Sequence, residues 1–139
     1  MIECKSFDKL PDDARVIREE VFVREQGFQD EFDDKDSIST HLVFYVDGFP
    51  TGTCRVFWDN QQQSYVIGRV AVRKAFRGNH YGTDLLRAAE KEVRKMGGKA
   101  LALAAQVRVK AFYESLGYTA SGEEFLDEFC PHVWMRKVL

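Results

Sequence analysis

The residues of this chain with the plainest chemical use are an arginine and two glycines spaced Arg77-Gly78-Asn79-His80-Tyr81-Gly82 at the start of a helical pattern. The first N–H groups of a helix lack intrahelical acceptors and carry a partial positive charge of about half a unit, so an anion is favoured there. Arg77 adds a full charge. Gly78 and Gly82 have no Cβ, which permits positive φ and lets a bulky phosphate approach the amides closely. Arginine and glycine are also common in ordinary solvated turns. At this level the run is either a phosphate cradle or a structural turn.

A cradle needs a strand before it and a helix behind it. Residues 65 to 72 are rich in β-branched and aromatic types and too few for a typical helix, whereas Leu85, Leu86, Ala89, Val93 and Met96 form a helical stripe that ends at Gly97-Gly98. Upstream, Ile2 to Phe7 reads as a first strand. Pro11-Asp12-Asp13 starts a helix with acids matched to its dipole, Ala14, Ile17 and Val21 share one face, and Gly27 is the stop. Residues 41–46 and 51–58 flank Asp47-Gly48, which is a hairpin signal. Three antiparallel strands therefore precede the central helix. Ala100 to Ala105 is an apolar strand expected to run parallel to 65–72, because a helix separates the two. Gln106 to Leu116 reads as a helix with Val109, Phe112 and Leu116 on one face, leaving Tyr113 one position off that stripe. Val133 to Val138 is the last strand.

The chain has 139 residues and is 45% hydrophobic, enough for one domain over 1–139 with a sizeable core. Cys4, Cys54 and Cys130 are odd in number and lack metal-site spacing, so a reduced, cytoplasmic setting is expected, with no metal. Cys54 sits in a strand and reads as a core residue. No apolar run approaches a membrane span and no leader pattern opens the chain. A net charge of −2 argues against nucleic acid held by bulk charge. The segment Phe28 to Asp36 carries five acids and one lysine, too dense in like charge to pack. It is expected to be a surface loop, either a solvated connector or a rim that steers a cationic amine. It lacks the Gly and terminal Glu of an EF-hand calcium loop.

The strand followed by Arg77-x-x-x-x-Gly82 resembles the acetyl-CoA motif of the GNAT superfamily of N-acetyltransferases, with His80 where a middle glycine is usual. Phe112-Tyr113-Glu114-Ser115-Leu116-Gly117-Tyr118 resembles a second motif of that family nearly throughout. Further likenesses lie in Val21-Phe22-Val23-x-Glu25-Gln26, His41-Leu42, Ala105-Gln106 and Pro131-His132, and they point to the ElaA-like and YjcF-like branch. The resemblance covers about residues 14 to 137. It implies an α/β fold, a mixed and mainly antiparallel sheet of about six to seven strands with about four helices. It also implies acetyl-CoA as cosubstrate, held by Val70, Ala71 and Val72 on a splayed strand and by Arg77, Gly78, Asn79, His80, Tyr81, Gly82 and Thr83. Gln106 stands where an asparagine is frequent, and Tyr113 falls where a tyrosine meets the CoA sulfur.

Transfer from a thioester to an amine needs a neutral amine, so a base must take its proton. Glu25 and His132 are the candidates, with Tyr113 the acid for the departing thiolate. Each has a plainer alternative: Glu25 as a helix-end acid, His132 as a sheet-end hydrogen bonder, Tyr113 as amphipathic packing. Arg73, Lys74 and Lys110 are further phosphate candidates or surface charges. The expected acceptor is a small amine, cationic before it loses its proton, with a protein lysine left open, as is the choice between monomer and homodimer. A CoA-binding sensor without turnover, and a partner-binding domain without CoA, are the rival readings. Acyl-homoserine-lactone synthases share the Val21-Phe22-Val23 likeness but are longer chains.

Overall fold

Four strands run as an antiparallel meander in the first half of the chain, and the computed structural model describes them with every other residue from Met1 to Leu139. They are β1 (Ile2–Phe7), β2 (Thr40–Val46), β3 (Phe49–Asp59) and β4 (Ser64–Val72). Asp47 and Gly48, at φ 51° and 82°, form the two-residue turn between β2 and β3, the left-handed pair that strand twist favours. Between β1 and β2 lies α1 (Asp12–Arg18), which continues as a π-helix over Glu19–Glu25. The expected helix thus has its expected extent to Gly27, but the second half is wound wider. The wider winding keeps Val21 and Phe22 on the face begun by Ala14 and Ile17, all of which are buried together with Phe28.

The second half holds α2 (Tyr81–Lys95), β5 (Ala100–Gln106), α3 (Lys110–Ser115), β6 (Thr119–Asp127) and β7 (Cys130–Val138). Leu85, Leu86, Ala89 and Val93 of α2 are buried against the sheet, as the stripe requires. The helix expected from Gln106 begins later. Gln106 ends β5, a 3-10 turn spans Val107–Val109, and only Lys110–Ser115 is α-helical. Tyr113 and Leu116 are buried while Val109 and Phe112 are only partly so, which moves the inward face by one residue from the expected stripe. There are three α-helices rather than about four. All seven strands form one sheet in the order β1-β2-β3-β4-β5-β7-β6.

One junction in this sheet is incomplete. β4 and β5 are parallel, as expected, yet pair only at Tyr65–Leu101 and Val66–Ala102. Beyond that point β5 continues against β7 as far as Gln106–His132, while β4 follows β3 through a bulge at which Arg69 takes φ 50°. The two half-sheets therefore splay apart, leaving a gap edged by unpaired backbone groups. α2 and α3 pack on one face of the gap, and α1 packs on the other.

Candidate active site

A cavity of about 730 Å³ fills the splay between β4 and β5. At one end stands the loop into α2. Gly78 takes φ 85°, and His80, directly before the helix, takes φ 62°, the conformation that a glycine at that position would supply. Histidine is one of the side chains that enter this region more readily than most. No side chain caps the helix start, so the first-turn amides face the cavity beside Tyr81, Gly82 and Thr83. Gly82 packs against Phe112, whose Cζ would stand 3.4 Å from a Cβ built there. Arg77 lines the same end. Its Nε donates to the Val72 carbonyl at 2.9 Å and its two terminal nitrogens grip the Glu25 carboxylate at 2.6 and 2.8 Å. Asn79 turns away, donating to the Phe76 carbonyl, and Arg73 is bound to Glu20.

That pairing corrects the reading of Glu25 as a base. The hydrogen bond from Arg77 holds its carboxyl below the usual range, which weakens it as a proton acceptor, and it is not on the wall of the main cavity. Glu25 is instead the anion that occupies the arginine.

Tyr113 and His132 meet the cavity from opposite sides of the sheet. Tyr113 is buried, with its ring edge-on to Phe112 and Tyr118 and its hydroxyl given no partner by the protein. Burial pushes its phenol far above the ordinary value, so it stays protonated and keeps an O–H to donate. His132 is 7% exposed, and its ring stacks on Phe125. Its Nδ1 lies 2.9 Å from the Cys130 carbonyl, which can only accept. Nδ1 therefore carries a proton, which leaves Nε2 as the nitrogen available to accept one. Gln106, level with His132, donates to Gln26 at 2.9 Å and accepts from Arg108. Val70, Ala71 and Val72 form the β4 edge of the cavity. Cys54 is fully buried, which drives its thiol up and leaves it no nucleophile.

The family model described as the acetyltransferase (GNAT) domain matches residues 9–139. The chain belongs to this family. Among similar sequences, the uncharacterized N-acetyltransferase YjcF of Bacillus subtilis is 35% identical, over 90% of each chain. Among solved structures, Escherichia coli ElaA is 26% identical with a TM-score of 0.85 over 99% of both chains. An acyl-CoA N-acyltransferase from Pseudomonas aeruginosa is 28% identical with a TM-score of 0.83, again over 99% of both. The fold is the GNAT fold, and the expected likeness to the ElaA and YjcF branch holds.

One feature of this GNAT domain corrects part of the sequence reading. The acidic segment lies at the surface as expected, with Asp30, Asp33 and Asp34 exposed, but Glu31 and Asp36 pack inward because three arginines neutralise the segment. Arg18, 1% exposed, binds Glu31 at 2.8 Å and Asp36 at 2.7 Å. Arg55 binds Asp33 and Asp36 at 2.6 and 2.9 Å, and Arg69 binds Glu31 and Asp33 at 3.1 and 3.3 Å. Burial would raise the Asp36 carboxyl, but Arg18 and Arg55 outweigh this and hold it at about 2. For Glu31 burial wins, and its carboxyl is raised. The arginines come from α1, β3 and the β4 bulge, far apart in sequence, so counting charge within the segment could not reveal them. Both carboxylate oxygens of Glu128, in the β6–β7 turn, accept from the Gln29 amide at 3.0 and 3.2 Å, and one also accepts from the Asp30 amide at 3.1 Å. The segment is thereby fixed as one wall of the cavity.

Proposed function

We propose that this domain transfers an acetyl group from acetyl-CoA directly to the primary amine of a small, cationic acceptor in the cytoplasm. The observation that carries the reading is the gap between β4 and β5, with uncapped helix amides at one end and a hydroxyl donor and a free imidazole nitrogen facing each other across it. The amides of Tyr81, Gly82 and Thr83 suit a pyrophosphate, and the β4 edge from Val70 to Val72 suits the amide groups of a pantetheine arm. Solved proteins of similar fold captured with CoA, among them an acetyltransferase from Bacillus subtilis at 12% identity, support CoA as the kind of ligand.

His132 Nε2 takes the proton of the incoming ammonium, and the Nδ1–H bond to Cys130 keeps the ring oriented while it is charged. A β4 amide near the bulge donates to the carbonyl oxygen as negative charge develops there. The Tyr113 hydroxyl, held protonated by burial, donates to the departing sulfur. Among the cavity-wall charges without an ion pair Asp30, Asp127 and Glu128 outnumber Arg108, which favours a cation over an anion as acceptor. The test is thermal unfolding with and without acetyl-CoA, using ATP and NAD as controls. Ligand at a hundredfold its Kd adds about 2.7 kcal/mol, a rise of several degrees for a domain of this size. A rise specific to acetyl-CoA, followed by thiol release with primary amines, is the expected result. No rise at saturating ligand would return the Arg77 run to an ordinary turn.

A further inference from the structure

The acceptor half of the cavity contains one polar atom that nothing in the protein satisfies. Arg55 is 4% exposed and lines the cavity, and its Nε is buried without a hydrogen-bond partner. Nη1 donates to Asp33 and Asp36 and Nη2 to Asp33, so the end-on face of the guanidinium is taken, while Nε–H and the second Nη2–H are left. A buried donor left unpaired costs about 1–3 kcal/mol, so such an atom marks where a partner belongs. Gly68 lies directly across from it. A Cβ there would stand 3.5 Å from Arg55 Nε and 3.9 Å from Phe57, so the missing side chain leaves a notch between the guanidinium and the aromatic ring.

The strand register places this notch relative to the chemistry. Val66 is level with Ala102, which puts Gly68 level with Ala104 and its β7 partner Trp134. His132 is two residues further along β7, about 7 Å up the strand direction. A molecule with its amine at His132 thus lies along a wall of Trp134 and Phe57 and ends at the Arg55 Nε–H.

We propose that Arg55 and Gly68 form a subsite that takes a neutral oxygen, a hydroxyl or an amide carbonyl, at the far end of the acceptor amine. The proposal rests on the transfer reading above and names the class of amine that this site accepts. Charge decides for a neutral oxygen over a carboxylate. Arg18, Arg55 and Arg69 are already matched by Glu31, Asp33 and Asp36, and among the cavity charges without an ion pair Asp30, Asp127 and Glu128 outnumber Arg108. Asp33 already holds the end-on face of the guanidinium. The Nε–H and the Nη2–H beside it remain, and one neutral oxygen accepts from both.

The test compares ω-amino alcohols of increasing chain length with n-alkylamines and ω-amino carboxylates of the same lengths, in acetyl-CoA-dependent thiol release. At the fitting length the amino alcohol is expected to exceed the alkylamine by about tenfold in kcat/KM, and the carboxylate to fall below both. Arg55→Lys keeps a cation for Asp33 and Asp36 but removes Nε–H, and should bring the alcohol-to-alkyl ratio near one. Should that variant fail to fold, Gly68→Ala introduces only ordinary van der Waals contacts and should collapse the same ratio. No alcohol preference at any length in the native protein would mean that the notch holds only a water molecule, and a preference that survives in Gly68→Ala would equally overturn the proposal. Calorimetric binding of the same three series to the protein with CoA separates the two readings. Alcohol-selective binding without turnover would sink the transferase reading and keep the notch, and turnover without selectivity would do the reverse. Absence of both binding and turnover for every series would overturn the notch as an acceptor subsite.

Discussion

Replacing Arg18 by Met removes the central cation of the acidic wall while keeping a side chain that can lie on Phe32, over whose ring the guanidinium now sits at 4.8 Å. Four hydrogen bonds go with it, two to Glu31 and two to Asp36. Taking one partner from a buried ion pair costs about 3–5 kcal/mol. For Asp36 alone, the fall from 3.8 to about 2 corresponds to about 2 kcal/mol, of which Arg18 supplies a large share. For Glu31, already raised by burial, the loss is limited by the cost of simply taking up a proton. A loss of about 3 kcal/mol lowers Tm by roughly 10 °C in a domain of this size. The pH dependence gives a second reading. In the native protein the Asp36 contribution is complete above its ordinary value and is lost only as pH falls toward 2. In the variant Asp36 keeps Arg55, but Glu31, raised by burial and now without the charge and hydrogen bonds of Arg18, is raised further, so stability is gained as pH falls. The gap between variant and native protein, measured by thermal unfolding, should therefore narrow between pH 7 and pH 5. A loss under about 1 kcal/mol, or a gap that stays constant with pH, would refute the view that Arg18 holds this wall by charge.

Tyr113→Phe should leave acetyl-CoA affinity intact and lower kcat by tenfold or more, of order one donated hydrogen bond at the leaving sulfur; single-turnover rates equal to the native protein's would remove it from the reaction. His132→Gln should lower the single-turnover rate by about a hundredfold or more with acetyl-CoA affinity unchanged, whereas a purely structural role would cost stability and leave the rate of the folded protein near native. Glu25→Gln frees Arg77 and should tighten acetyl-CoA binding a few-fold in calorimetry, the scale of an exposed ion pair; a collapse of kcat with unchanged affinity would restore Glu25 as the base. Arg77→Ala in the same assay should weaken acetyl-CoA.

Strands β1 to β5 and β7, the turn into α2 and the hairpin at Asp47-Gly48 were legible because each is written locally, in alternation, in glycine position or in a helix stripe, whereas β6 is exposed along almost its whole length and shows no such alternation. Tyr113 and His132 were legible only through likeness to a family, since neither lies near the other in sequence. The role of Glu25 was misread because its partner Arg77 is 52 residues away, and an ion pair of that separation leaves no local trace. The acidic wall was misread for the same reason three times over. The late start of α3 was hidden because Gln106, Val107 and Val109 carry a pattern that fits a helix, while pairing of β5 with β7 as far as Gln106–His132 overrides it.

Two rungs of pairing between β4 and β5 also make the sheet two half-sheets joined near one end. Opening and closing of such a wedge needs little more than a change of twist at Tyr65 and Val66, so the backbone beyond them is free to breathe in the absence of ligand. A bound pantetheine arm would act as a short inserted strand, lending its amides to both edges and turning the wedge into a continuous sheet. Amide hydrogen exchange at Val70 to Val72 and at Leu103 to Ala105 would then slow together on loading, and the protein's slowest-opening unit would extend from one half-sheet to the whole domain.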